Sequence, residues 1–90
     1  MKIYILTHEV NEQDCPTTTF DIICAYASRE NAFEALIETA CSTERGENPH
    51  FIGLNPKRIP NSLGFGLTYE WEDDGRIYYT HYKIKEINLL

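Results

Sequence analysis

The stretch that decides the fold is FGLTYEWEDDGRIYYTHYKIK, residues 65–85. In its first half Phe65, Leu67, Tyr69 and Trp71 alternate with Gly66, Thr68, Glu70 and Glu72, the two-residue period of a strand buried on one face. Asp74-Gly75 then interrupts the alternation, and Asp-Gly between alternating segments marks a two-residue hairpin, because a type I′ turn needs positive φ at both central residues. With Asp74 and Gly75 as the loop, Asp73 opposes Arg76, Trp71 opposes Tyr78, Tyr69 opposes Thr80, Leu67 opposes Tyr82 and Phe65 opposes Ile84. The large apolar groups of the two strands then share one face. Thr68, Glu70, Glu72, Tyr79, His81, Lys83 and Lys85 share the other, with Ile77 near the turn. That agreement in parity fixes the register.

Working outward, Phe33, Leu36, Ile37, Ala40 and Cys41 recur at i, i+3, i+4, i+7 and i+8 and predict one amphipathic helix with Glu30, Glu34 and Glu38 on its outer side. Ser28 is placed as its N-cap, with a hydroxyl to accept an orphan backbone N–H, and Gly46 as its stop. Residues 2–10 and 18–27, rich in Ile, Tyr, Phe and Thr, read as two strands of a first hairpin, joined by the polar Glu12-Gln13-Asp14-Cys15-Pro16. Between Gly46 and Ser62, Pro49, Pro56 and Pro60 prevent a helix or central strand from persisting, so a long loop is expected there, pinned by Phe51, Ile52, Leu54 and Ile59 with Lys57 and Arg58 at its exposed tip. The expected architecture is an α+β domain. It has a four-stranded, mainly antiparallel sheet in ββαββ order, with the helix on one face and the Pro-rich loop between helix and third strand.

Ninety residues, 42% hydrophobic and 24% charged, make one globular domain. No apolar run reaches the roughly 18 residues a membrane-spanning helix needs, and the first strand lacks the apolar core of a secretion signal. An odd set of widely spaced cysteines, Cys15, Cys24 and Cys41, argues for a reducing compartment, hence a cytoplasmic setting. The net charge of −6 repels a phosphate backbone and excludes direct nucleic-acid binding as the expected role.

KIYILTHE (2–9), AYASRENAFEAL (25–36) and YYTHYKIKEINLL (78–90) together resemble a set of small phage and bacterial α+β proteins without assigned catalytic residues. In these, a first strand, a tyrosine-containing strand ending in Ser-x-Glu-x-Ala, one helix and a last strand follow one another. The resemblance covers a little under half of the chain. It implies a phage-encoded setting, in a host cytoplasm, and a role such as inhibition of a bacterial defence protein in the manner of an anti-CRISPR.

The residues themselves offer several chemistries. His8, His50 and His81 with the cysteines supply metal-ligand types without metal-ligand spacing, and His8 and His81 become neighbours only if the first and last strands pair. Cys24 and Cys41 read as core thiols and Cys15 as an accessible one with no basic neighbour in sequence. Glu70, Tyr79 and His81 meet across the hairpin on its wet face, as a small acid–base group or as a solvated face. No catalytic residue, metal or cofactor is assigned. The acids form the stronger pattern: Glu30, Glu34 and Glu38 at i, i+4 and i+8, then Glu44 and Glu47, with Asp73 and Asp74 at the hairpin tip. Like charges so placed cost a few tenths of a kcal/mol per pair, which a functional surface justifies and simple solubility also explains.

The reading that follows is a non-enzymatic protein-interaction module. Its partner is a protein with a basic groove, such as a nucleic-acid-handling protein. Partner-binding residues are Glu30, Glu34, Glu38, Asp73, Asp74, Tyr79, His81, Lys57 and Arg58, and the sheet face left bare by the single helix is available for a homodimer. The alternative is a small-ligand or nucleotide-processing protein that gathers His81, Tyr79 and Glu70 with Lys57 and Arg58 of the 46–62 loop.

Overall fold

The computed structural model describes residues 1–15, 18–59 and 66–89, with the backbone alone at Thr18. In chain order the elements are β1 (Lys2–Glu12), β2 (Thr18–Tyr26), α1 (Arg29–Glu44), a 3₁₀ turn (Pro49–Phe51), β3 (Lys57–Ile59), β4 (Gly66–Asp73) and β5 (Arg76–Asn88). The strands form one antiparallel sheet in the order β2-β1-β5-β4-β3.

The expected four-stranded ββαββ sheet is therefore corrected to five strands in ββαβββ order, within the same α+β class. The added strand lies inside the stretch assigned to loop. Lys57, Arg58 and Ile59 pair with Glu70, Tyr69 and Thr68 at the margin of the sheet. Prolines bar a central strand but not a short edge strand, whose outward N–H groups need no partner, so Pro56 and Pro60 bracket β3 without forbidding it. The rest of the 46–62 assignment, from Pro60 on, lies outside the described residues.

The β4–β5 register is the one expected, from Asp73↔Arg76 through Trp71↔Tyr78 to Leu67↔Tyr82. The expected Phe65↔Ile84 pair lies outside the described residues. Asp74 and Gly75 have φ of 54° and 77°, the two positive values of the I′ turn. β5 pairs with β4 from Arg76 to Lys83 and with β1 from Tyr78 to Asn88, nearly its whole length, which makes it the spine of the sheet.

Ser28 caps α1, accepting from the Asn31 backbone N–H at 3.3 Å. The helix ends in a Schellman motif: Glu47 N–H donates to Ser42 O at 2.8 Å and Gly46 N–H to Thr43 O at 3.2 Å, with Gly46 at φ +74°. Its buried stripe is Ala32, Leu36, Ala40 and Thr43, rotated from the stripe expected from the apolar residues; Ile37 is 53% exposed and Phe33 and Cys41 are half-buried. Thr43 goes inward because its hydroxyl is satisfied there, donating to Thr39 O at 2.8 Å.

The core lies between α1 and the sheet: Leu6, Leu36, Ala40, Phe51, Tyr69 and Tyr82, flanked by Leu67, Trp71 and Ile84. Phe51 meets Trp71 edge-on at 5.9 Å, which carries the 3₁₀ turn over the end of the core, as its apolar anchors led one to expect. Of the other anchors Leu54 is half-buried, whereas Ile52 stands exposed. Asn48 holds the turn from below: its Nδ2 donates to Tyr82 Oη and to Thr43 Oγ1, each at 3.0 Å, and its Oδ1 accepts from His50 N–H at 3.0 Å. Asn48→Ala is expected to cost about 2–3 kcal/mol, since it leaves buried hydroxyls short of a partner and removes a cap. Chemical denaturation reads the loss, and limited proteolysis is expected to begin cutting near Pro49–Leu54 in the variant while sparing this segment in the native chain.

Candidate functional site

β1 and β5 do pair, yet His8 and His81 do not meet. His8 stands opposite Tyr82, and His81 opposite Glu9. Tyr82 faces the helix, so His8 shares the helix side, while His81, one residue earlier in β5, faces the bare side.

On the bare side His81 is held at both ring nitrogens, Nδ1 2.9 Å from Thr68 Oγ1 and Nε2 2.8 Å from Asn11 Oδ1. The Asn11 oxygen only accepts, so Nε2 carries the proton and Nδ1 accepts from the Thr68 hydroxyl. Burial, then the nearby Lys83 charge, lower the His81 pKa, against a smaller opposing pull from Glu9. Tyr79 Oη donates to Glu70 Oε1 at 3.3 Å. Beside them Lys83 Nζ lies 3.1 Å from a Glu9 carboxylate that Lys85 also approaches at 4.0 Å, and Lys85 sits 4.8 Å over the Phe20 ring. The polar groups on the bare side thus satisfy one another, and the imidazole keeps no free nitrogen for a substrate.

The grouping of Lys57 and Arg58 with His81 is not what the fold builds. Lys57 pairs across to Glu70 on the bare side and lines a cleft of about 310 Å³ with Asn55, Glu70, Trp71, Glu72 and Ile77. Arg58, one residue on, turns to the helix side, where its Nε reaches Glu44 Oε1 at 2.6 Å. The same carboxylate accepts from Tyr69 Oη at 3.3 Å; burial and that negative charge push the phenol up to about 12.

The helix side holds a site that spacing along the chain did not announce. His8 is 8% exposed, stacks on His50 with ring centroids 4.9 Å apart, and meets Tyr82 in a tilted arrangement at 5.4 Å. Its buried Nε2 has no hydrogen-bond partner among the described residues. Beside it opens a second cleft of about 310 Å³, lined by Ile23, Glu38, Thr39, Ser42, Asn48, Pro49, His50 and Tyr82. Burial chiefly, then His50, lower the His8 pKa, while Asp21 across the β1–β2 ladder pulls weakly the other way. The only signal in the sequence was parity: His8 follows Leu6 and Tyr4 on the inward positions of β1. Among the described residues no three His, Cys, Asp or Glu side chains gather as a metal-ligand set. Cys24, expected in the core, is exposed because β2 is an edge strand, and Cys15 and Cys41 are half-buried.

The acids fall into two separate groups. Glu30, Glu34 and Glu38 are exposed along the outer crest of α1. Asp73 and Asp74 are exposed at the hairpin tip. Asp73 lies four residues, about 13 Å of strand, past Tyr69, which touches Ala40 and Glu44 at the C-terminal end of the helix. Six of the cations are committed within the fold: Lys2 to Glu86, Arg45 to Glu47, Arg58 to Glu44, Arg76 to Glu12, and Lys83 and Lys85 to Glu9. The three crest glutamates stand outside these pairs, as do Asp14, Asp21, Glu70, Glu72, Asp73 and Asp74 elsewhere on the fold.

Comparison with family models, curated proteins and solved structures finds no match for this chain.

Two histidines with lowered pKa values make the fold sensitive to acid. At pH 7 both are neutral folded or unfolded. As pH falls below about 6.5 the unfolded chain takes up protons that the folded chain refuses, so stability decreases until the folded-state pKa values are passed. The melting temperature is expected to fall between pH 7 and pH 5. His8→Phe, which keeps an aromatic ring on His50 and Tyr82, is expected to flatten part of that slope; an unchanged slope in thermal melts of the variant excludes His8 as its source.

Proposed function

We propose that this protein is a protein-interaction module that uses the acidic crest of α1 to occupy a basic groove on a nucleic-acid-handling partner and so inhibits it. The observation that carries the reading is the sorting of charge. Six of the eight lysines and arginines are held in ion pairs with Glu9, Glu12, Glu44, Glu47 and Glu86, while Glu30, Glu34 and Glu38 stand exposed in a row outside those pairs. Ile37 at 53% exposure and the half-buried Phe33 lie among them and offer apolar contact beside the charges. An exposed carboxylate row is complementary to a groove built for phosphates, speeds encounter with it, and competes with the nucleic acid for the same lysines and arginines. A bacterial target, and delivery by a phage, follow from the resemblance in the strand and helix segments. The hairpin tip, far from the crest, and the mutually satisfied Tyr79 and His81 are outside the primary contact in this reading.

The test is capture from a bacterial lysate on immobilised protein at low and high salt, followed by kinetics with the purified partner. Wild type is expected to retain a partner that high salt releases. Glu30→Gln, Glu34→Gln and Glu38→Gln combined are expected to slow association at low salt by on the order of tenfold. The melting temperature of the triple variant should stay level or rise, because like-charge repulsion within the row is relieved. Equal association rates for wild type and the triple variant remove the crest from the mechanism.

A further inference from the structure

The nine residues of β2, Thr18–Tyr26, form one margin of the sheet. An edge strand presents a row of unpaired backbone N–H and C=O groups, and soluble proteins blunt such edges with lysines, prolines, short length or a covering loop. The other margin obeys this rule: β3 has three residues, two of them Lys57 and Arg58, and a proline on each side in sequence. β2 follows it less closely, blunted by a bulge-like irregularity in its register with β1 beside Ile23. It is three times as long, contains no Lys, Arg or Pro, and carries a single charge, Asp21. Every side chain from Thr19 to Ala25 is exposed. Phe20 and Ile22 project from the bare side at 46% and 60% exposure; Ile23, beside the irregularity in the β1–β2 register, projects toward the helix side at 44%.

We propose that β2 is a self-association edge. Two copies of the chain pair β2 to β2, antiparallel about a two-fold axis, into one continuous ten-stranded sheet with both helices on the same face. The occupant is a second copy because the segment is complementary to itself. Its apolar residues, 20, 22 and 23, straddle the midpoint of 18–26, so an antiparallel copy lays apolar centre on apolar centre and places threonines opposite the Ala25-Tyr26 end. It is also the stretch where two chains of net charge −6 approach with least like charge, one Asp21 each. Nine residues span about 30 Å, and a sheet with its side-chain layers is roughly 15 Å thick, so pairing covers on the order of 900 Å² in total. That is just below the usual range of specific interfaces, so the dimer forms in the micromolar range or above and depends on concentration. Salt strengthens it by screening the mutual repulsion. A partner held by the helix crest is released by salt, and the two surfaces share no residue, so either can fail without the other.

The experiment is sedimentation equilibrium of the full chain over a wide range of loading, at low and high salt. The average mass is expected to climb from 10.4 kDa toward twice that value as concentration rises, and sooner at high salt. Phe20→Lys and Ile23→Lys, on opposite faces of the same strand, are each expected to weaken association at least tenfold with little change in melting temperature, because both side chains are exposed. Ile37→Lys on the helix is expected to leave it unchanged. Amide hydrogen exchange in β2 should slow as concentration rises. A monomer at every loading overturns the proposal, as does a dimer that Phe20→Lys breaks and Ile23→Lys does not, which indicates stacking of the bare sheet faces. So does a chain that stays monomeric while binding an extended peptide along β2.

Discussion

The structure depends on one phenol. Tyr82 sits on β5, the central strand of the sheet, with its ring fully buried and its hydroxyl at the meeting point of three elements. The hydroxyl accepts from Asn48 at 3.0 Å and lies 3.4 Å from the Thr43 hydroxyl, joining the sheet to the last turn of α1 and to the segment that follows it. A buried hydroxyl without partners would cost about 1–3 kcal/mol, so Asn48 and Thr43 are required by Tyr82 as much as they support it. Burial raises its pKa and these two hydrogen bonds lower it, burial being the larger effect, so the group stays a neutral donor and acceptor. Because Asn48 also caps the 3₁₀ turn, the same junction carries Phe51 onto Trp71 and His50 onto His8. The helix-side cleft is a consequence of how the core is closed.

The two faces of the sheet solve different problems. The helix side is sealed by aromatic and aliphatic packing, with Tyr69 reaching the Ala40 carbonyl at 3.3 Å to tie the helix to β4. Among the described residues no element covers the bare side, which is closed by its own side chains. Thr7, fully buried there, donates to the Lys83 carbonyl at 3.3 Å, while Glu9, Lys83 and Lys85 form an ion-pair group and Thr68, His81 and Asn11 a hydrogen-bonded chain. Such mutual satisfaction makes a polar face stable in place and at the same time inert, since few lone pairs or protons are left to offer a ligand.

What the sequence disclosed follows the range of each signal. The β4–β5 register was legible because a two-residue turn and period-2 alternation are local, and the Ser28 cap and the Gly46 stop are local too. β3 was not legible: three residues between prolines carry no period, and only the outer side of β4 waiting for a partner makes them a strand. The helix stripe was displaced by Thr43, whose polarity hides a buried position that only Tyr82 and Asn48 explain. Cys24 looked like core because strand composition does not say which strand lies at the edge. Whether His8 and His81 meet depends on a strand order that no local signal discloses; β1 and β5 do pair, but Glu9↔His81 sends the two rings to opposite faces, a fact of register between elements about seventy residues apart. The assignment of Lys57 and Arg58 to one tip failed for the same reason, since a strand turns consecutive side chains to opposite sides.

Charge in this protein acts by location more than by total. At physiological salt the field of a surface charge fades over about 8 Å, so a net −6 spread evenly would be felt weakly by any one partner. From Glu30 to Glu38 the helix rises about 12 Å, which places each glutamate within a Debye length of the next and makes the three act as one patch. Asp73 and Asp74 lie beyond the C-terminal end of that helix, about 13 Å of strand past Tyr69, and so more than a Debye length from the crest, where they form a second patch. Six of the eight cations are held away from the first patch, on Glu9, Glu12, Glu44, Glu47 and Glu86, and Arg29 stands beside it in the first turn of the helix. The fold therefore presents acidic patches whose fields do not merge, and the row on α1 is about 12 Å long, shorter than the helix that carries it.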